Sequence, residues 1–439
     1  MSFLIILLAV ILQVFLTVKK VNPFLSLLLV AILAGLCFGM PPMKVVESIE
    51  RGVSSTLGGL VLVIILGAAL GKVLEVSGAA ERIANSLISS FGVRYIQWAV
   101  LLTGFMIGIP LFYNAGFIIL IPLVFMLARK TGMPILYIAI PMAASLSVTH
   151  CFLPPHPGPV FLINELEADT GQVLMYGILM AIPAVVIAGP LFGKMLNRLK
   201  VDAPLGDSFQ APEVAARHQM PALFPSFFIA LLPVLLITLS VVVKTFLPTD
   251  SWLKTFFIFT GDSTIALLIS FLAAIYVFGI RQGYSIDTTM KWLTESVSDI
   301  AMIVLIITAG GVFKQVLVDS GTGAEIAALS SQWQMPPLLF AWLVTALLRV
   351  MIGSATVSGI TAAGIVAPLV QSGAASAELM VLAVGAGSVF FSHVNDSGFW
   401  MFKEFFHLSI KQTFLSWSIM ETIISIIGLI FVLLLNTIL

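Results

Sequence analysis

Apolar segments of membrane-crossing length follow one another along nearly the whole chain, and they constrain its fold more than any motif does. They lie near 3–18, 22–40, 57–75, 134–164, 172–193, 223–247, 255–280, 298–318, 377–402 and 414–438. About 20 residues cross a hydrocarbon core of ~30 Å. Inside it the backbone must satisfy its own polar groups, which makes the helix the default element. Composition agrees: 59% of the 439 residues are hydrophobic, only 10% are charged, and mean hydropathy is +1.12. A soluble domain carries roughly 25% charged residues, so this chain lacks the charge to cover a water-facing surface. Soluble enzyme, disordered protein and disulfide-stapled secreted domain are excluded. The expected class is an all-α polytopic membrane protein.

Basic and acidic residues balance at 21 each, so charge makes no case for a nucleic-acid partner. Cys37 and Cys151 both sit in apolar sequence and read as packing residues rather than a disulfide or metal pair. The first apolar run starts at once, without a basic leader or a small-residue cleavage site, and reads as a span.

Two stretches depart from the pattern. Residues 96–128 and 337–371 each form two short apolar arms around a centre rich in Gly with Pro or Ser/Thr. Such arms reach about halfway through a bilayer, as a re-entrant hairpin does, with two kinked full spans as the alternative. Ten spans and two hairpins, with the amino terminus outside, put fourteen of the 21 basic residues inside and four outside. That is the asymmetry expected of a membrane protein. The polar stretch 196–221 then becomes a cytoplasmic linker, and Glu165, Glu167 and Asp169 fall on the outer side. Residues 44–55 and 284–297 read as amphipathic interfacial helices.

The two parts flanking the linker, 1–195 and 222–439, repeat. Gly67, Val73, Leu74, Ser77 and Gly78 recur 243 residues later as Gly310, Val316, Leu317, Ser320 and Gly321. Ser145 and His150 recur at the same offset as Ser388 and His393. An odd number of crossings in each half turns the second upside down relative to the first. An inverted repeat with broken helices at 134–164 and 377–402 is the architecture of secondary transporters.

Polar, conformationally unusual residues gather at the repeat-related positions. The first hairpin tip runs from Gly108 to Gly116 and holds Tyr113 and Asn114; the second runs from Gly353 to Gly359 and holds Ser354, Thr356 and Ser358. Glycine permits tight reversal, and the helix start after each tip favours an anion. The first broken span carries Thr149, His150 and His156 among Pro154, Pro155, Pro157 and Pro159, which cannot continue a helix. Its mate carries Ser392, His393, Asn395 and Asp396. Ionisable residues in apolar sequence are costly and are functional candidates by default, although Asp396 could equally serve only as a structural partner. Arg349 precedes the second tip and has no counterpart in the first half; it could clamp a carboxylate or neutralise Asp396. No phosphate-binding loop, ion-filter motif or hydrolase motif occurs, and the histidines lack zinc-site spacing, so neither an enzyme, a metal nor a cofactor is expected.

At these residues the chain resembles the gluconate permease family, the gluconate:proton symporters of a larger ion-transporter superfamily. The resemblance spans essentially the whole length. It is carried by Ser147-Val-Thr-His-Cys-Phe-Leu-Pro-Pro-His-Pro-Gly-Pro159, Phe313-Lys-Gln-Val-Leu-Val-Asp-Ser-Gly321, Gly353-Ser-Ala-Thr-Val357 and Ser392-His-Val-Asn-Asp-Ser-Gly-Phe-Trp400. It implies proton-coupled uptake of gluconate or a related sugar acid across a bacterial inner membrane. Family members also carry idonate, fructuronate and D-serine, so the resemblance leaves the substrate open. One departure stands out: the family's first tip has a Glu where this chain has Asn114.

The expected mechanism follows from both readings. The substrate carboxylate is met by Arg349, Ser354 and Thr356, and its hydroxyls by Asn114, Thr149, Ser392 and Asn395. Asp396, His393 and His150 are the expected proton-coupling groups. Alternatives are another small hydroxylated acid or D-serine as cargo, Na⁺ as the coupling ion, or a ligand sensor without flux. Analogy with related folds implies a homodimer.

Overall fold

Local chemistry marks the helix boundaries throughout. Asn22 caps α2 (Pro23–Cys37) by accepting from the Phe24 amide at 2.9 Å, and Asp262 caps α12 (Ser263–Gln282) by accepting from the Thr264 amide at 3.0 Å. Before α2 lies α1 (Ser2–Val18); after it come α3 (Pro42–Val76) and α4 (Ala79–Phe91). Proline fills the first helical position of α2, α3, α8 (Pro157–Glu165) and α14 (Pro337–Ile352), where its missing N–H is no loss. Between α4 and α8 lie α5 (Ile96–Gly108), α6 (Tyr113–Thr131) and α7 (Ile135–Phe152), followed by α9 (Thr170–Met195). The second part of the chain adds α10 (Leu223–Phe246), α11 (Trp252–Thr260), α13 (Ile286–Asp319), α15 (Ala355–Gln371), α16 (Ala377–Ser388), α17 (Ser397–Phe405) and α18 (Ile410–Asn436).

This computed structural model describes residues 2–196, 220–246, 251–321, 335–394 and 396–439, and among them all regular structure is helical. The linker expected at 196–221 lies almost wholly outside the described residues. Among the described residues six helical stretches are long and apolar enough to cross a membrane: Ile135–Glu165, α9, Leu223–Lys244, α12, α13 and α18. Counting the two arms of α3, bent by 43° between Pro42–Gly58 and Val61–Val76, gives seven. The expected count of ten crossings is therefore not reached by length alone. At 1.5 Å per residue α1, α2 and α16 fall short of the core thickness, and apolar composition does not reveal where a helix stops.

The apolar surface faces outward, as a bilayer requires. Leu4, Leu8, Ile11 and Phe15 line one exposed stripe of α1, and Ile419, Ile426, Ile430 and Leu434 do so on α18. The stretch Ile135–Glu165 is the opposite case, with 89% of its apolar window buried, the most enclosed of the six. Small residues allow close approach around it. A side chain at Gly385 of α16 would meet the Cys151 carbonyl oxygen at 2.6 Å.

The stretch expected at 284–297 runs on into the apolar part of α13 as one helix of 34 residues, whereas 44–55 lies on the first arm of α3, set off from the second by the 43° bend; α3 and α13 pack on one another. Their crossing is tied by Arg51 to Asp319 at 3.1 Å and by the Ser48 hydroxyl to the same carboxylate at 2.6 Å. Of the three acids expected on the outer side, Glu165 is itself buried. It ends α8 in the interior, where it meets Lys314 of α13 at 3.0 Å and the Thr56 hydroxyl of α3 at 3.2 Å. A carboxylate taken out of water needs such partners.

Candidate functional site

Four pairs of helices, each joined across a short break, border one cavity. In the first half, α5 and α6 are joined by the turn 109–112, and α7 and α8 by 153–156, where the prolines end the ladder of hydrogen bonds. In the second, α14 and α15 are joined by Gly353 and Ser354, and α16 and α17 by 389–396. Gly353 has φ +82°, a conformation that side chains disfavour, and it caps α14 through the Arg349 carbonyl. The starts of α6, α8, α15 and α17 thereby border one cavity of about 330 Å³, contributing Tyr113 and Asn114, Pro157, Ala355 and Thr356, and Gly398. No side chain caps α6 or α8. Four helix amino termini around one space favour a negative charge there.

Arg349 and Asp396 form an ion pair at the cavity wall. Asp396 also accepts from the Ser392 hydroxyl and, at 2.9 Å, from the Gly398 amide, so it is the cap of α17 as well. The Ser392 hydroxyl accepts from Trp417 Nε1 at 2.7 Å, and the Ser392 carbonyl accepts from the Ser418 hydroxyl at 2.5 Å. Trp417 and Ser418 lie on a π turn, 414–418, at the start of α18. This inserted residue turns the indole and hydroxyl onto the break between α16 and α17. π turns recur at functional sites.

Buried polar atoms around the cavity lack protein partners. They are Nε and Nη1 of Arg349, the Tyr113 hydroxyl and Nδ1 of His150. Buried polar groups are normally satisfied, so this set is available to a polar ligand in the cavity. His156, outside the lining, also keeps Nδ1 without a partner, while its Nε2 donates to the Gly108 carbonyl at 2.7 Å, pinning the end of α5 to the start of α8.

The candidates named from sequence are distributed unevenly. Asn114, His150, Arg349, Ser354, Thr356 and Asp396 line the cavity. Thr149 does not: its hydroxyl donates back to the Ser145 and Leu146 carbonyls at 3.0 Å each, and the side chain is fully buried. Ser392 stands behind Asp396 and orients it rather than facing the cavity. His393 sits edge-on to Phe391 outside the lining, and Asn395 lies outside the described residues. Ser147, Tyr113, Trp417 and Glu421 line the cavity without having been assigned a role from sequence. Glu421 had a legible signal, as the one charged residue in 414–438. Among the described residues no three His, Cys, Asp or Glu side chains converge as metal ligands.

Broken helices meeting at a polar, anion-favouring cavity inside an apolar helical shell define a membrane transporter. The chain belongs to the GntP permease family, whose description, GntP family permease, it matches over residues 1–438. It is 47% identical over 437 residues to a high-affinity gluconate transporter of Escherichia coli (strain K12), covering 99% of each chain. It is 46% identical over 420 residues to the Gnt-II system L-idonate transporter of the same organism, covering 96% of this chain and 95% of that one. A gluconate permease of Bacillus subtilis (strain 168) is 43% identical over 426 residues, covering 95% of both. Among solved structures, the YdaH transporter of Alcanivorax borkumensis shares the fold with a TM-score of 0.69 at 16% identity, over 95% of this chain and 98% of that one. The chain is a multi-pass membrane transporter of the sugar-acid permease type, not an enzyme.

Proposed function

We propose that this permease imports gluconate or a closely related sugar acid together with protons across a bacterial inner membrane. The observation that carries the reading is the cavity itself. One arginine with two unpartnered nitrogens and four helix starts surround a space of about 330 Å³, within the range of small-molecule sites. The carboxylate is met by Arg349, Ser354, Thr356 and the first amides of α15. Hydroxyls are met by Asn114 and Tyr113, and by Asn395, the neighbour of Asp396 in sequence. Thr149 and Ser392 shape the site from behind, Thr149 by packing on Gly108.

Substrate binding brings a second negative charge to a guanidinium already shared with Asp396. A proton entering with the anion lowers the cost of moving that charge through a low-dielectric interior. Asp396 and His150 at the wall, and His393 behind it, are the titratable groups assigned to this step from sequence. The residues 1–195 and 222–439 act as inverted halves. The two hairpins and the two broken helices move together against the long α3 and α13, exposing the cavity to each side in turn. A homodimer follows from analogy of fold.

The test is uptake of labelled gluconate into proteoliposomes under an inward proton gradient, with and without a protonophore. Accumulation that the protonophore abolishes is expected. Absence of uptake by verified proteoliposomes overturns gluconate as cargo and directs the search to other sugar acids, with Asn114 as the first residue to exchange.

A further inference from the structure

Glu421 is a carboxyl in the cavity wall that no part of the foregoing mechanism uses. It lies one turn beyond the π turn of α18, is 2% exposed, and accepts a hydrogen bond from the Ser147 hydroxyl at 2.5 Å. Among the described residues no Lys, Arg or His lies within ion-pair distance of it. The groups around it are Ser147, His150 and Cys151 of α7, Arg349 of α14, Asp396 before α17, and Tyr113 of α6. α9 and α16 also pack on α18; Glu378, the acid of α16, is at that helix's far end, engaged with Ser376 and the Asp169 amide.

We infer that Glu421, rather than Asp396, is the carboxyl that takes up and releases the coupled proton. The inference rests on the reading of the protein as a proton-coupled sugar-acid carrier. Asp396 is committed to three donors: Arg349, the Ser392 hydroxyl and the Gly398 amide. Protonating it weakens an ion pair and a helix cap together. Glu421 has no such commitments. A serine hydroxyl donates to a carboxylate and, more weakly, to the carbonyl oxygen of a neutral acid, so Glu421 keeps this partner in either state and changes state without breaking an ion pair or a helix cap.

Charge then fixes the order of events. The Arg349–Asp396 pair is neutral in itself, leaving room in the cavity for one further negative charge favoured by the helix starts. Either the carboxylate of Glu421 or that of the substrate supplies it. Both together, in a space of about 330 Å³, repel strongly at low dielectric. The arriving anion therefore requires a proton on Glu421, and its departure lets the proton go. The cycle moves one anion and one proton inward and no net charge.

The experiment uses reconstituted full-length protein, labelled gluconate and a pH-sensitive dye trapped in the vesicles. Wild type is expected to accumulate gluconate under an inward proton gradient and to take in one proton per gluconate. Glu421→Gln is expected to exchange gluconate at a reduced rate, with its accumulation ratio fallen to one and no proton influx. Glu421→Asp, still an acid, is expected to recover proton influx. Wild-type accumulation and proton influx in E421Q overturn the assignment and leave the parent reading intact. An Asp variant as uncoupled as the Gln variant makes the effect one of packing and overturns it too. Wild type that moves gluconate without protons defeats the parent reading and the assignment with it. Should E421Q not reconstitute, Ser147→Ala decides: a shifted pH dependence of accumulation is expected, and an unchanged one overturns the proposal.

Discussion

Arg349 does in one side chain what several weaker groups could not. Its planar guanidinium holds Asp396 through Nη2 and keeps Nε and Nη1, both buried, without protein partners. A guanidinium presents donors in a rigid fork, whereas an ammonium offers a point charge. Arg349→Lys is therefore expected to keep the pairing with Asp396 and lose the geometry for a second carboxylate. Each charge-assisted hydrogen bond is worth about 1.5–3 kcal/mol, so the apparent gluconate constant should rise tenfold or more. Uptake kinetics in proteoliposomes check this, and an unchanged constant would assign Arg349 to holding the fold alone. Arg349 and Asp396 were legible in sequence because a charge in apolar surroundings is too costly to persist without a partner or a task. Thr149 was misleading for the converse reason. A hydroxyl on a helix can turn back to its own carbonyls, and only the packed structure shows which way it turned.

At the scale of elements, the site depends on where helices stop. Prolines break the stretch Ile135–Glu165 in a way that sequence discloses, yet the second break at 389–396 contains no proline. It is held by contacts from elsewhere: the Ser418 hydroxyl on the Ser392 carbonyl, and Trp417 on the Ser392 hydroxyl. The two breaks are also packed against one another, since Gly385 of α16 lies on the Cys151 carbonyl at the end of α7. Gly385→Ala is expected to push backbone against backbone and cost about 1–3 kcal/mol, the usual penalty of overpacking. A fall in melting temperature of the detergent-solubilised protein checks it. No fall would mean that the two breaks separate freely.

At the scale of the whole molecule, one buried charge pair joins both halves of the chain. Glu165 closes α8, Lys314 sits toward the end of α13, and Thr56 of α3 completes the contact. Lys314 is 19% exposed and Glu165 only 2%, so the carboxylate is the side that cannot fall back on water. Lys314→Ala is expected to destabilise by up to about 3 kcal/mol by leaving that charge without its partner. The double change Glu165→Gln with Lys314→Met is expected to restore most of the loss. Thermal unfolding of the three proteins measures both, and equal losses in the single and double variants would show that charge is not the cause.

Sequence by itself determined that this chain is a helical membrane protein, where its short arms and interrupted helices lie, and which polar residues stand out within them. Those properties are local: apolar length, proline and glycine placement, and the rarity of charge each act within a few residues of chain. Only the tertiary structure decided which of those polar groups share a cavity, that Glu421 joins them from the far end of the sequence, and that Glu165 is interior. Ser147 and Glu421 are 274 residues apart and meet at 2.5 Å. No local pattern encodes such a meeting, because it comes from packing helices of both halves around one centre.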